Sequence, residues 1–135
     1  MLNLALLSCY CAASESSSAL IAQGRKLQRT HVDKALSLYD RARRRAETTK
    51  DEAIAHYWMA QALAQKGNAL AYRHYQRAID VNPSYEHAYY SFGLALQRSR
   101  RLSEAASMYN GATRANPANT NALINVGICY KNLGR

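Results

Sequence analysis

The side chains best suited to chemistry are four histidines, His31, His56, His74 and His87, and three cysteines, Cys9, Cys11 and Cys129. A metal centre or a catalytic pair needs such groups at spacings that bring them together. Cys9-Tyr10-Cys11 is not a zinc-ribbon pair and no second pair follows it. An odd number of thiols at irregular spacing sets up no disulfide framework. There is no glycine-rich phosphate loop, no His-Glu-x-x-His and no Gly-x-Ser-x-Gly elbow. The histidines are expected at different heights of the fold, with no Cys, Ser or carboxylate beside them at a telling spacing. The sequence thus argues against catalysis, against a metal and against a cofactor.

What remains is a recognition chemistry. The chain carries 18 Lys and Arg against 9 Asp and Glu, a net charge of +9, which favours acidic partners. Arg41, Arg43, Arg44 and Arg45 form a basic run, but Asp40 and Glu47 flank it. Cations collected at a helix C-terminus complement its dipole, so this run reads first as a solvated helix end. Nucleic acid is the rival partner that the charge admits, through phosphate attraction without base reading. With 48% apolar and 20% charged residues in 135, the chain has the composition of one folded domain. Only two prolines and six glycines interrupt it, so long helices are unbroken. The thiol usage and the absence of an Asn-x-Ser/Thr acceptor point to the cytoplasm as the expected compartment.

The elements that must position these side chains repeat along the chain. Ala71, Tyr75, Ala78 and Pro83 recur as Ala105, Tyr109, Ala112 and Pro117, each 34 residues later. Ala88, Phe92, Gly93 and Leu96 recur at the same offset as Ala122, Val126, Gly127 and Tyr130. Ala35, Tyr39 and Ala42 precede Ala71, Tyr75 and Ala78 by 36, as Gly24 and Leu27 precede Ala60 and Leu63. Spacings of three and four place each set on one helical face. Small residues at Gly93, Gly127, Ala105 and Ala112 let a partner helix cross closely, and Tyr109 fills the space left. Pro83 and Pro117 follow an Asn where the helix must stop.

These residues resemble the tetratricopeptide family, whose pattern is an aromatic, Leu-Gly and Tyr on one helix, then Ala, aromatic, Ala and Pro on the next. The third unit reads Tyr89, Phe92-Gly93, Leu96, Ala105, Tyr109, Ala112, Pro117. The second reads His56, Met59-Ala60, Leu63, Ala71, Tyr75, Ala78, Pro83. The first is degenerate, Leu20, Gln23-Gly24, Leu27, Ala35, Tyr39, Ala42, without a proline. The fourth begins with Leu123, Val126-Gly127 and Tyr130, and the chain stops at Arg135. The resemblance implies an all-α fold, a right-handed superhelical array of helical hairpins over residues 17–135, in units 17–51, 52–85, 86–119 and a truncated 120–135. Helices are expected at 17–29, 32–46, 52–66, 69–81, 85–98, 102–115 and 119–133. The first link is three residues longer than the second, which predicts a lengthened second helix or a looser junction across residues 43–50.

The resemblance also implies where a function sits. The first helix of each hairpin lines the concave surface, and positions outside the core pattern read the partner. These include Ile21, Arg25, Gln28 and Arg29 in unit one, Tyr57, Trp58, Gln61 and Gln65 in unit two, His87, Tyr90, Ser91, Leu94 and Arg98 in unit three, and Asn121, Asn125, Ile128 and Lys131 in unit four. Tyr, Trp and Arg anchor interfaces more often than other side chains. Amides can bond the backbone of an extended peptide. The implied function is therefore a scaffold that holds a peptide or helix of another protein. One branch of the family clamps chaperone C-terminal carboxylates with lysines, asparagines and an arginine, but Tyr57, Gln61, Ser91, Asn121 and Asn125 stand at those places here. The asparagine ladder of an O-linked sugar transferase scaffold is matched by Asn125 alone.

Both ends are distinctive. Residues 1–16 form an extension whose apolar stretch has no preceding positive charge and is too short to span a bilayer, so a leading helix on the first repeat is expected over a signal segment. At the other end, Leu123, Val126 and Tyr130 are residues that meet a following helix. A truncated array, or self-association through that face, follows as an expectation.

Overall fold

The computed structural model describes residues 15–134, so Cys9, Cys11 and nearly all of the expected leading helix lie outside the described residues. Seven helices follow one another without a strand among these residues: α1 Ser17–Leu27, α2 Val32–Arg44, α3 Thr49–Gln65, α4 Leu70–Val81, α5 Glu86–Arg98, α6 Leu102–Ala115 and α7 Thr120–Asn132. None is long and apolar enough to cross a membrane. Their starts are capped as their sequences allow. Ser16 accepts from the Ala19 amide, Thr48 from that of Asp51 and Asn119 from that of Ala122. After α3, Gly67 takes a positive φ, with the Asn68 amide donating to the Leu63 carbonyl at 2.9 Å. Arg100 holds the same left-handed place after α5, with φ 63°, although it is not glycine. Asn82 and Asn116 are extended before their prolines, and each side chain accepts from an amide two residues on.

The hairpins α1–α2, α3–α4 and α5–α6 are held by one repeated device. A tyrosine on the second helix lies over a small residue on the first. A Cβ placed on Gly93 would stand 2.7 Å from the Tyr109 ring, and one on Gly24 would meet Tyr39 still more closely. Ala60 occupies this place in the second hairpin, in the same core cluster as Tyr75. Tyr39, Tyr75 and Tyr109 are the largest fully buried side chains, ringed by Ala35, Ala42, Ala71, Ala78, Ala105 and Ala112. The core falls into two clusters, one under α1 and α2 and one running from α3 to α7, and Leu36 and Trp58 touch both. Each hairpin therefore covers a face of the next, as a one-dimensional stack requires.

Two expectations need correction. The three extra residues of the first link neither lengthen α2, which ends at Arg44, nor loosen the junction; they extend α3 backwards to Thr49. The Thr48–Asp51 cap, two-sided because Thr48 Oγ1 also donates to Asp51 Oδ2 at 2.7 Å, sets that start. Gly127 does not lie beneath a crossing helix: a Cβ there would meet nothing within 4 Å. The face left open carries Leu123, 53% exposed, Ile124, 59% exposed, Ile128 and Tyr130.

The histidines also depart from expectation, because the hairpin turn brings two of them together. His56 on α3 and His74 on α4 face each other with their Nδ1 atoms 3.1 Å apart, and Glu52 Oε1 stands 3.8 Å from His56 Nε2. His56 is only 6% exposed. Burial first, and then the positive fields of His74, Arg43 and Arg77, lower its pKa from the ordinary 6.5 to about 4, against the opposing pull of Asp40. His74 is lowered too, by burial and by Arg43 and Arg73. If the two Nδ1 atoms share a hydrogen bond, one ring donates and the other accepts, and the accepting ring must be neutral.

Gly93→Ala should destabilise the chain by about 1–3 kcal/mol through the forced displacement of Tyr109. Gly127→Ala should instead be neutral or gain up to about 1 kcal/mol of helix propensity. Denaturant unfolding of the two variants checks the pair, and equal effects would refute the assigned role. The histidines give a pH signature. Because the folded pKa of His56 lies below the unfolded one, the unfolded chain binds more protons between pH 6.5 and 4, so stability falls as pH falls through that window. Restoring the apolar residues of the other units in His56→Leu/His74→Met should flatten the loss between pH 7 and 5, measured by the unfolding midpoint. An unchanged slope would mean that other groups carry it.

Candidate functional site

The first helices of neighbouring hairpins lean on each other, α1 on α3 and α3 on α5, and so line the inner side of the stack. Between α3 and α5 this side sinks into a cleft of about 320 Å³, lined by Gln28, Gln61, Ala64, Gln65, Tyr75, Ser91, Leu94, Ala95 and Arg98. The cleft arises from a single departure from the repeat. The Tyr39 hydroxyl donates to Gln28 Oε1 at 2.7 Å, and the Tyr109 hydroxyl donates to Gln97 Oε1 at 2.6 Å. The corresponding residue above Tyr75 is Ala64. A glutamine is thus missing where the other two hairpins close the space, and Tyr75 lines the opening. Burial raises the pKa of this phenol well above its ordinary value, so it meets a ligand as a neutral hydroxyl.

Around the cleft, Gln61 is held in place. Its Nε2 donates to the Tyr57 hydroxyl at 2.8 Å and to Ser91 Oγ at 3.1 Å. Gln65 Nε2 donates to the Gln28 carbonyl at 3.2 Å, and the two side-chain amides touch at 3.4 Å. These glutamines join α1, α3 and α5 edge to edge and hold their side-chain amides along the groove.

The residues expected to face a partner divide by position. Arg25 is exposed, with its guanidinium carbon 4.7 Å from the centroid of the Trp58 ring. Trp58 is half-buried, its ring edge-on to Tyr57 at 5.2 Å and tilted against Tyr39 at 6.2 Å. Tyr57 is buried, part of the main core cluster, and presents its hydroxyl to Gln61. His87 is exposed and stacks on Tyr85 at 5.5 Å. Tyr90 is half-buried against Tyr109, and its hydroxyl accepts from Asn125 Nδ2 at 3.4 Å. Leu94 is half-buried and Arg98 exposed on the cleft wall. On α7, Asn121, Ile128 and Lys131 are exposed. Gln28 and Gln65, which the sequence also places on this face, line the cleft; it adds Ala64 and Tyr75, which reading the sequence for surface positions passes over. Aligning Gln28, Ala64 and Gln97 in the repeat register is the signal that finds them.

Acidic residues on these helices are confined to first turns. The acidic residues of the first helices are Asp51 and Glu52 in the first turn of α3 and Glu86 in the first turn of α5, and α1 and α7 have none. Arg25 and Arg98 form no ion pair among the described residues. A groove with two uncompensated guanidiniums, aligned amides and an apolar wall can hold an extended, acidic chain.

Comparisons with known proteins agree with this architecture. The family model described as tetratricopeptide repeat matches residues 25–71, 68–120 and 90–135. Among solved structures, the first TPR of Spaghetti (RPAP3), bound to the HSP90 peptide SRMEEVD, superposes with a TM-score of 0.77 at 22% identity, over 90% of this chain and 96% of that one. The Sgt2 TPR domain from Aspergillus fumigatus gives 0.76 at 22%, covering 90% and 83%. MamA gives 0.75 at 22%, covering 94% and 74%. A search of curated proteins found no match. The stacked hairpins, their tyrosine-over-glycine contacts and the family match over most of the chain lead to one conclusion: this chain belongs to the tetratricopeptide repeat family, an all-α solenoid of the kind that serves as a protein-interaction module.

Proposed function

We propose that the groove formed by α1, α3, α5 and α7 holds an extended acidic segment of another protein, and that the chain acts as a non-catalytic scaffold. The observation that carries this reading is the cleft over Tyr75, opened by Ala64 and bordered by Gln61, Ser91, Leu94 and Arg98. Gln61, whose two Nε2 donors are engaged, offers its Oε1 as a fixed acceptor and Gln65 a remaining Nε2 donor for a backbone. Leu94 with Ala95 is a seat for one apolar side chain, and Arg98 on the cleft wall and Arg25 over Trp58 supply positive charge. A structural neighbour solved with a peptide carrying Glu-Glu-Val-Asp lends support by fold, not by side chains. The lysine and arginine pattern of the chaperone-tail clamp is absent from the corresponding positions here, so such a tail is not the segment proposed.

Selection from a displayed library of random twelve-residue peptides tests the reading. Selected peptides should share acidic residues around one apolar anchor. They should lose at least about tenfold in affinity for Arg25→Glu/Arg98→Glu, a change of roughly 1.4 kcal/mol, while helicity stays unchanged because both residues are exposed. Peptides without a common pattern, or with equal affinity for the variant, would move the binding surface away from this groove.

A further inference from the structure

On the far side of α3 lies a second cleft, of about 420 Å³, lined by Asp40 and Arg43 of α2, Glu52, His56 and Met59 of α3, and Leu70, Arg73, His74 and Arg77 of α4. His56, Glu52 and Met59 occupy the α3 face roughly opposite Gln61 and Gln65, so this cleft shares no wall with the groove. We propose that it is a binding site for a phosphomonoester, carried on a phosphorylated side chain of a peptide.

The site is built from departures from the repeat, and the departures coincide. At the position of His56 the other units carry Leu20, Tyr89 and Leu123, and at the position of His74 they carry Leu38 and Met108. Two positions that carry Leu, Tyr or Met elsewhere carry imidazoles here, one buried and one half-buried, and these touch each other at 3.1 Å. At the position of Arg77 the third unit has Gly111, and the Tyr89 ring lies directly against it. In the third unit an aromatic over a glycine therefore closes the space. In the second unit histidine replaces the aromatic and arginine replaces the glycine, and the space stands open. A polar contact that is buried on one side is expensive unless it is satisfied. A hole lined by cations at the same place gives that expense a use.

The charges select the ligand. Asp40 receives Arg43 at 2.9 Å and Arg44 at 2.5 Å. Burial pushes its carboxyl pKa up, but the two guanidiniums outweigh that and hold it below the ordinary range. Glu52 stands beside His56, at 3.8 Å. Arg73 and Arg77, one turn apart on α4, are exposed and pair with no carboxylate among the described residues. With Arg44 counted on Asp40, four guanidiniums face two carboxylates, and two positive charges stay uncompensated. A phosphomonoester near neutral pH carries almost two negative charges and three acceptor oxygens suited to guanidinium forks. A phosphodiester carries one charge and a side-chain carboxylate one, so both fit less well. A divalent cation is disfavoured by the same arginines, and no group of three ligating side chains stands together among the described residues. The bound anion would also favour proton uptake by His56 and His74, against the surrounding Arg43, Arg73 and Arg77 and with Asp40 and Glu52. Binding then becomes linked to pH.

The test is a titration of the whole chain followed by NMR of the histidine rings. The probes are inorganic phosphate, a phosphoserine heptapeptide, its unphosphorylated form and an oligothymidylate of similar length. The expected result is saturable movement of the His56 and His74 signals, with His31 and His87 still. The phosphoserine peptide should bind at least tenfold more tightly than its unphosphorylated form, and at least tenfold more weakly to Arg73→Gln/Arg77→Gln, whose exposed positions leave the fold intact. Movement of all four histidines together, or unchanged affinity in the arginine variant, would overturn the site. Saturation by inorganic phosphate with no gain from the phosphopeptide would overturn the peptide as its carrier, and an oligothymidylate that binds as well as the phosphopeptide would overturn the choice of monoester.

Discussion

A tyrosine ring resting on a residue without a side chain holds this molecule together. Tyr39 over Gly24 and Tyr109 over Gly93 leave no room even for a methyl group, and Tyr75 with Ala60 is the looser form of the same contact. The contact sets how closely two helices approach and at what point they cross. It explains why alanines surround each ring, since any larger neighbour would push the helices apart. It also marks where a bare backbone is left uncovered. Gly127 offers the same bare backbone with no ring above it, and the apolar residues beside it are exposed for the same reason.

Because the interlock occupies a fixed set of positions, the others are free to differ between hairpins, and the clefts lie where they differ. Ala64 in place of a glutamine leaves the groove open above Tyr75. His56 and Arg77 in place of Tyr89 and Gly111 leave the opposite cleft open. Both changes fall in the second hairpin, which is flanked on either side by a complete neighbour. A middle unit can carry a polar pair and two cavities because its neighbours supply the packing that it gives up.

The repeat made most of this fold legible from sequence. Offsets of 34 and 36 residues, read with helical periodicity, located the seven helices of the described residues to within a few residues. What stayed hidden has physical causes. The extra turn of α3 depends on which of two adjacent segments finds a cap, and only the Thr48–Asp51 geometry decides it. The His56–His74 contact joins residues 18 apart, which helical spacing cannot reveal and a hairpin creates. The burial of Tyr57, with only its hydroxyl offered to Gln61, turns on rotamer and neighbour packing that no periodicity encodes. The groove cations Arg25 and Arg98 were legible, whereas the cleft was not, because it is made by an alanine.

The most direct test of the central interlock is a double-mutant cycle between Gly93→Ala and Tyr109→Leu, read by equilibrium unfolding. If the ring and the bare backbone are one contact, the alanine should be costly beneath tyrosine and nearly harmless beneath leucine. The two changes should then couple by about 1 kcal/mol or more. Strictly additive effects would show that the glycine is small for some other reason, and the account of how these hairpins are held would fail.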